Sequence, residues 1–373
     1  MGAPAVSESA LRVAVAGAGA FGRNHLRVYR ELETAGQGVA LVAAVEPNQA
    51  RAAETSAKYA IPVFSTVDEL LSADLHLNAA TVAVPTVHHQ EVASALLDAG
   101  LDLLVEKPLA TSLAEADDLI GRAGKGQRIL QPGHLERFNP AILTAQPRLH
   151  RPMFFESHRL SVFTPRSLDV DVVLDLMIHD LDIVLTFANS PVREVRAVGL
   201  PILSPKVDIA SVRVEFENGC VANFTASRVS TERVRKLRYF EPRQYVSIDY
   251  ARQDLLVIRL DAEGAAGAVA GLPPEIAAAI AAGKADPALL AKLAAAGAGG
   301  PAPGLSFIKP TVTPGEPLRL EILSFLESVR TRREPHVTAR QGRNALALAL
   351  EIQATMAAHA KFAGLESFFS PAA

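Results

Sequence analysis

The sequence predicts two domains: a doubly wound α/β domain with a parallel sheet over residues 1–131, and an α+β domain with an antiparallel sheet over residues 132–373. Short apolar runs alternate with helical patterns up to Gln131, which favours a parallel sheet. Beyond that residue, strand-like runs follow one another across short turns, which favours antiparallel pairing. A chain of 373 residues also exceeds what one compact core usually fills.

The first domain begins with a β-rich run that a glycine closes, and helices and strands then alternate. The predicted strands cover residues 12–16, 39–45, 78–83, 101–105 and 128–131. The predicted helices cover residues 21–34, 48–59, 87–99 and 113–123. The run 101–105 is nearly all apolar, as expected for a strand that is buried on both faces.

The second domain begins with a strand over residues 153–160 and a long apolar helix over residues 170–187. Val212, Val214 and Phe216 alternate with charged residues, which indicates a sheet with one apolar face. Strands are predicted over 192–198, 210–216, 220–228, 235–240, 245–250 and 255–260, and helices over 318–330 and 339–362. Residues 262–305 are dominated by Ala, Gly and Pro, which predicts an inserted surface loop.

Composition and charge exclude several classes of protein. The formal net charge is -3, which offers no basic excess to nucleic acid or to an anionic membrane. Cys220 is the single cysteine, so the chain has neither internal disulfides nor a multi-cysteine metal site. No apolar run reaches the roughly 18 residues that span a bilayer, and the N-terminus lacks a signal-peptide pattern. We therefore expect a cytoplasmic protein without nucleic-acid or membrane partners.

Residues 17–22 form a G-x-G-x-x-G pattern between a predicted strand and a predicted helix. In that context the glycines permit a tight turn and the close approach of a pyrophosphate, which the helix N-terminus attracts. Glu46 ends the second strand, where a carboxylate can bind the adenosine ribose and repel a 2′-phosphate. The first domain is therefore predicted to be a Rossmann domain that binds NAD in preference to NADP. A glycine turn without a ligand is the alternative interpretation.

Three polar residues are candidates for acid–base chemistry. Lys107 follows Glu106 at the carboxyl end of a predicted parallel strand, where ligands bind in open α/β sheets. Asp175 and His179 lie one turn apart on the polar stripe of an otherwise apolar helix, so the carboxylate can orient the imidazole. The alternatives are a surface lysine and a structural pair within the helix. No third ligand lies at a recognisable spacing, so no metal is predicted.

Four motifs together resemble those of the glucose–fructose oxidoreductase / inositol dehydrogenase (Gfo/Idh/MocA) family. They are the glycine loop 17–22, the run AVPTVHH at 83–89, the triplet Glu106-Lys107-Pro108, and Asp175-x-x-x-His179-Asp180. The resemblance implies an NAD(P)-dependent oxidoreductase that acts on CH–OH groups. It also implies a large open antiparallel sheet in the second domain, through which the chain forms a homodimer or homotetramer.

The resemblance further implies roles for individual residues. The cofactor pyrophosphate is expected at Gly17, Gly19, Phe21 and Gly22, and the adenosine ribose at Glu46. The nicotinamide side is expected near Pro85, Thr86 and His89. Glu106 and Lys107 are expected to bridge cofactor and substrate. Lys107, Asp175 and His179 form the implied catalytic set, in which either Lys107 or His179 takes the proton.

Two segments, GHLERFNP at 133–140 and VLDLMIHD at 173–180, look like those of the bacterial UDP-N-acetylglucosamine 3-dehydrogenases within this family. That resemblance implies oxidation at C3 of the nucleotide sugar, a step of the lipid A diamino-sugar pathway. Arg137, Asn139 and Arg166 are then candidate substrate contacts, with salt bridges at the domain junction as the alternative. The alternative substrate is a free sugar, an inositol or another cyclic polyol. A non-catalytic cofactor-binding regulator is a minor alternative.

Overall fold

The computed structural model describes residues 10–163, 170–260 and 305–369, which form two compact units. The first unit contains the described residues of Met1–Asn139, Ser167–Thr186 and Gly315–Gly364. The second contains those of Pro140–Arg166, Phe187–Pro314 and Leu365–Ala373. Residues 132–139 and two later segments thus also belong to the first unit. The division of the chain into domains at residue 131 remains a prediction.

The first unit contains a six-stranded parallel sheet. Its strands are β1 (Leu11–Ala16), β2 (Val39–Val45), β3 (Val63–Phe64), β4 (Ala79–Val82), β5 (Asp102–Glu106) and β6 (Leu130–Gly133). The strand order is β3-β2-β1-β4-β5-β6, and all neighbours pair in parallel. The order reverses between β1 and β4, and ligands bind at such a switch point in doubly wound sheets. The predicted fold class is confirmed.

Most helices of the described residues lie at predicted positions, but Val67–Ser72 and Pro140–Ala145 are not predicted by the sequence analysis. The helices are α1 (Gly22–Thr34), α2 (Gln49–Tyr59), α3 (Val67–Ser72), α4 (His89–Asp98), α5 (Leu113–Gly126), α6 (Pro140–Ala145), α7 (Ile178–Ala188), α8 (Pro317–Thr331) and α9 (Ala339–Phe362). Short 3-10 turns cover Thr86–His88, Leu135–Phe138, Gln146–Arg148 and Glu366–Phe369. Side-chain N-caps fix the first residue of several helices. The side chains of Asn48, Ser112 and Thr338 each accept a backbone hydrogen bond at a helix N-terminus.

Helices cover both faces of the parallel sheet. On one face, Tyr29 of α1 and Phe325 of α8 are fully buried in a cluster with Val13 of β1. On the other face, Leu96 of α4 and Leu346 of α9 are fully buried in a second cluster. The strands are therefore buried on both sides, as their continuous apolar runs predict.

The second unit contains an eight-stranded sheet. Its strands are β7 (Phe154–Leu160), β8 (Val192–Leu200), β9 (Ile209–Phe216), β10 (Val221–Ser227), β11 (Val234–Glu241), β12 (Gln244–Asp249), β13 (Asp254–Leu260) and β14 (Leu305–Ile308). The order is β14-β13-β12-β11-β7-β10-β9-β8, and only the pair of β7 with β10 is parallel among these described strands. The predicted meander is therefore interrupted by β7, because alternation reveals which face of a strand is buried but not which strands are its neighbours.

The long helix predicted over residues 170–187 begins differently from the expectation. Val173–Met177 form a π turn in which the Ile178 N–H donates to the Val173 carbonyl, and α7 follows directly. Single π turns within helices often mark functional sites. The insertion predicted over residues 262–305 lies outside the described residues, apart from Leu305 at the start of β14. None of the described helices is long and apolar enough to cross a membrane.

Candidate cofactor and catalytic site

The glycines of the loop at 17–22 have different reasons for lacking a side chain. Gly17 has a φ of +95°, and a Cβ there would lie 2.6 Å from the Ala83 carbonyl oxygen. A Cβ on Gly22 would lie 1.8 Å from the Gly17 carbonyl oxygen. At Gly19, by contrast, a Cβ would meet no described atom within 4 Å. Gly17 and Gly22 are therefore required by the fold, while Gly19 leaves open space of the kind that a pyrophosphate needs.

This difference predicts the effect of Gly19→Ala. The added methyl group enters open space, so the free energy of unfolding stays within about 1 kcal/mol of wild type. If the cofactor phosphates lie at Gly19 as predicted, the same methyl group obstructs them, and we expect the Kd of NADH to rise at least ~10-fold. NADH fluorescence titration and urea denaturation measure the two effects. Gly121→Ala on α5 is the matched control, because it also meets open space; unchanged NADH affinity in Gly19→Ala contradicts the assignment.

Glu46 is anchored at the end of β2 by three donors. Its carboxylate accepts hydrogen bonds from the Ala18 N–H at 3.1 Å, the Asn48 N–H at 2.9 Å and Arg51 Nη2 at 2.8 Å. Burial alone would raise the pKa of Glu46, but these hydrogen bonds more than compensate and hold it below its ordinary value. Glu46 is thus a fixed carboxylate joined directly to the glycine loop. The sequence analysis missed Arg51, because its position after Glu46 does not reveal the direction of its side chain.

A cavity of about 720 Å³ opens beside Glu46 and the glycine loop. Its lining includes Gly17, Gly19, Glu46, Arg51, Pro85 and His88. The volume lies within the range usual for ligand sites. An open glycine turn and a fixed carboxylate suit a dinucleotide, so the residues present fit NAD.

The pair of Glu46 and Arg51 predicts how cofactor preference responds to mutation. In Glu46→Ala, the carboxylate that is expected to bind the ribose is lost, and the Arg51 guanidinium would be free to meet a 2′-phosphate. We expect the ratio of kcat/KM for NAD over NADP to fall roughly 10-fold or more. The double variant Glu46→Ala/Arg51→Ala is the control. Without the Arg51 guanidinium, its kcat/KM for NADP should not rise as it does in Glu46→Ala. An unchanged ratio in Glu46→Ala would rule out this role for Glu46.

Lys107 meets the π turn of the long helix. Its Nζ donates to the Asp175 carbonyl oxygen at 2.7 Å and to the Leu174 carbonyl oxygen at 3.4 Å. The Asp175 carboxylate oxygen Oδ1 lies 3.9 Å from the same nitrogen. His179 is half-buried in the first turn of α7. The structure therefore brings Lys107 and Asp175 together, and it places His179 one helical turn further along.

His89 lies behind the cofactor cavity and is almost fully buried. Its Nδ1 lies 2.9 Å from the Pro108 carbonyl oxygen, and its Nε2 lies 3.0 Å from the Val84 carbonyl oxygen. Burial lowers the pKa of His89 below its ordinary value. The ring joins the segment after β4 to the turn that carries Lys107, while its neighbour His88 contributes to the cavity wall.

Two of the three candidate substrate contacts are buried within the first unit. Arg137 is 2% exposed; its Nη1 lies 3.5 Å from Asp182 Oδ1 and donates to the Thr186 hydroxyl. Asn139 is also 2% exposed and donates to the Glu136 carboxylate at 3.1 Å. This geometry favours the structural alternative, because both side chains turn inward. Arg166 lies outside the described residues. No group of potential metal ligands gathers within the ranges that the structure describes, and the absence of a metal remains a prediction.

A switch-point glycine loop, a fixed acid after β2 and a lysine after β5 together define a dinucleotide-dependent oxidoreductase. Residues 11–134 match the model of the oxidoreductase family with an NAD-binding Rossmann fold, and residues 142–243 match the GFO/IDH/MocA C-terminal domain. The chain belongs to the Gfo/Idh/MocA oxidoreductase family. It is an NAD-dependent enzyme of the class that oxidises sugar hydroxyl groups.

Several relatives resemble the chain over most of its length. It is 37% identical over 264 residues to a UDP-N-acetylglucosamine 3-dehydrogenase from Acidithiobacillus ferrooxidans, which is 70% of this chain and 80% of that protein. A solved structure of that dehydrogenase has a TM-score of 0.79 at 31% identity, covering 98% of this chain and 100% of the other. The scyllo-inositol 2-dehydrogenase (NAD(+)) of Bacillus subtilis is 26% identical over 60% of this chain and 69% of that protein.

Proposed function

We propose that this chain oxidises the C3 hydroxyl group of UDP-N-acetylglucosamine with NAD and produces the 3-keto nucleotide sugar of the lipid A diamino-sugar pathway. The observation that carries the proposal is the likeness to a UDP-N-acetylglucosamine 3-dehydrogenase, at 31% identity over 98% of this chain. The candidate site supports the chemistry, because Lys107 Nζ donates to the Asp175 carbonyl oxygen in the π turn and His179 follows that turn in α7.

The glycine loop and Glu46 would hold NAD, which when bound accepts the hydride that leaves C3. The chain's own residues then handle the hydroxyl proton. Two carbonyl acceptors and a nearby carboxylate surround Lys107 Nζ, and such surroundings stabilise an ammonium ion. We therefore assign Lys107 as a hydrogen-bond donor to the substrate oxygen and His179 as the acceptor of the hydroxyl proton. The products are the ketone, NADH and one proton, which passes from the imidazole to solvent.

The test is nicotinamide absorbance at 340 nm during incubation of the pure protein with NAD and UDP-N-acetylglucosamine, as that wavelength reports reduced nicotinamide. A coupled sugar aminotransferase with glutamate removes the ketone, because oxidation of a sugar hydroxyl by NAD is uphill. We expect steady turnover that N-acetylglucosamine alone does not support. Turnover of N-acetylglucosamine or myo-inositol in place of the nucleotide sugar contradicts the proposal.

A cyclic polyol is the second candidate substrate. The observation in its favour is the identity of 26% with scyllo-inositol 2-dehydrogenase over 60% of this chain. The chemistry at Lys107 and His179 would be unchanged, because an inositol offers the same secondary hydroxyl group. Comparison of kcat/KM for the inositols and for UDP-N-acetylglucosamine decides between the two candidates.

We also propose that the chain assembles as a homodimer or homotetramer through the eight-stranded sheet. One face of that sheet carries exposed or partly exposed polar side chains, among them Glu156, His158, Arg213 and Asn223. A face of this kind can pair with its own copy through complementary charges. Multi-angle light scattering measures the mass in solution, and a monomer of 39.6 kDa would contradict the proposal.

A further inference from the structure

His25 makes a buried contact that the proposed reaction does not use. It lies on α1, the helix that begins at the glycine loop, and its ring is fully buried. Its Nε2 lies 2.7 Å from the Glu106 carboxylate oxygen Oε1. The ring also packs against Phe21 of the glycine loop in a T-shaped arrangement, at a centroid distance of 5.6 Å. One imidazole therefore touches both the cofactor loop and the residue that precedes Lys107.

Glu106 is held on more than one side. Its second carboxylate oxygen accepts a hydrogen bond from the Lys107 backbone N–H at 3.3 Å. On neighbouring β6, a Cβ on Gly133 would lie 3.0 Å from the Glu106 Cα, Cδ and Oε1 atoms. The absence of a side chain at Gly133 therefore leaves room for the carboxylate in this orientation. The position of the Glu106 carboxylate thus depends on α1, on β6 and on the turn that carries Lys107.

Glu321 is a third ionisable group near Glu106. Glu321 on α8 is fully buried, and neither of its carboxyl oxygens has a hydrogen-bond partner among the described residues. Burial and the charges of Glu106 and Asp182 raise the pKa of Glu321 well above its ordinary value. The raised pKa favours the neutral form of Glu321, which reduces charge repulsion beside the contact between Glu106 and His25.

We propose that His25 is a positioning residue for the oxidation. It fixes the Glu106 carboxylate, which orients the backbone of Lys107 and so holds the Lys107 side chain in register with the glycine loop. The loop itself is shaped by backbone packing at Gly17 and Gly22. Loss of His25 should therefore reduce the rate of the chemical step and leave cofactor affinity almost unchanged, because groups held even 1 Å from their working position lose much of their effect.

The test compares two substitutions in the full-length enzyme. His25→Phe removes the hydrogen bond and keeps a buried ring, whereas His25→Gln keeps an N–H donor of similar reach. We expect kcat with NAD and UDP-N-acetylglucosamine to fall roughly 10- to 100-fold in His25→Phe and less than about fivefold in His25→Gln. The Kd of NADH should stay within about threefold in both. The proposal is overturned if the kcat of His25→Phe is within about threefold of wild type. It is also overturned if the kcat of His25→Gln is no higher than that of His25→Phe.

Two further measurements test the role of His25 if His25→Phe folds poorly. Gly133→Ala pushes on Glu106 from β6 with His25 intact, and it should lower kcat to a similar degree. In a Glu106→Gln background, His25→Phe should have less than about a threefold additional effect, because the two residues act in series. If the loss of kcat in the double variant equals the product of the losses in the two single variants, His25 does not act through Glu106.

The inference rests on the proposed substrate only for the kcat assay. If the wild type does not turn over UDP-N-acetylglucosamine, the proposed function fails before any variant is compared. The role of His25 is then decided by acetylation of Lys107 with an N-hydroxysuccinimide ester, followed by mass spectrometry. A Lys107 released from the π turn should react at least about fivefold faster in His25→Phe than in wild type. Equal rates overturn the proposal independently of the substrate.

Discussion

Lys107→Ala is expected to lower kcat by roughly 100- to 1000-fold, the range for loss of a hydrogen-bond donor to the reacting oxygen. The physical reason is the position of the Lys107 Nζ, which lies 2.7 Å from the Asp175 carbonyl oxygen at the π turn. An alanine there removes the donor to the substrate oxygen and leaves the glycine loop and Glu46 intact. The Kd of NADH should therefore stay within about threefold of wild type. Steady-state kinetics and NADH fluorescence titration measure the two quantities.

Lys125→Ala is the matched control, because Lys125 is an exposed lysine in the last turn of α5. It should leave both kcat and the Kd of NADH unchanged. The assignment of Lys107 fails if Lys107→Ala retains more than about a tenth of the wild-type kcat. A large loss of NADH affinity without a loss of kcat would instead move Lys107 from the chemistry to cofactor binding.

The fold was predictable where long segments repeat one pattern. The sequence predicts 39–45 and 339–362 with the bounds that β2 and α9 have in the structure. Periodicity of two or 3.6 residues is distinct over segments of that length. It fails for β3, which has only two residues, and for α3, whose six residues make less than two helical turns. The position of β7 in the middle of its sheet depends on pairing across the chain, which no local pattern encodes.

The candidate site was predictable from sequence where backbone geometry determines it. The glycine loop, Glu46 and Lys107 all follow parallel strands, so their common edge of the sheet follows from the fold class. The inward direction of Arg137 and the contact of His25 with Glu106 depend on which side of a short element faces the core. The π turn at Val173–Met177 is a local departure from the regular helix that an apolar pattern does not signal.

A buried carboxylate organises the connection between β8 and β9 in the second unit. Asp208 is fully buried, and its Oδ2 accepts hydrogen bonds from the N–H groups of Ile202, Leu203 and Ser204 at 2.8, 2.6 and 2.9 Å. Its Oδ1 accepts from Arg228 Nε at 2.7 Å. Burial alone would raise the pKa of Asp208, but these partners lower it from 3.8 to about 2.

Asp208→Asn is therefore expected to lower the free energy of unfolding by about 3 kcal/mol at pH 7, because it leaves Arg228 buried without its carboxylate. The folded-state pKa of Asp208 lies below the unfolded value, so the ionised carboxylate stabilises the fold above about pH 3.8 and loses this effect as the pH falls toward 2. That part of the contribution amounts to about 2 kcal/mol. Urea denaturation followed by circular dichroism, repeated between pH 7 and pH 2.5, measures both effects.

Asp254→Asn tests whether any aspartate of the same sheet would give this result. Asp254 forms an exposed ion pair with Lys309 at 3.1 Å, and such pairs contribute less than about 1 kcal/mol. The difference between wild type and Asp208→Asn should narrow as the pH approaches 2, whereas the small effect of Asp254→Asn should hardly exceed the error at any pH. Equal effects of the two substitutions at pH 7 would mean that the hydrogen bonds of Asp208 do not hold this connection, because burial and three backbone donors are what distinguish its carboxylate from that of Asp254.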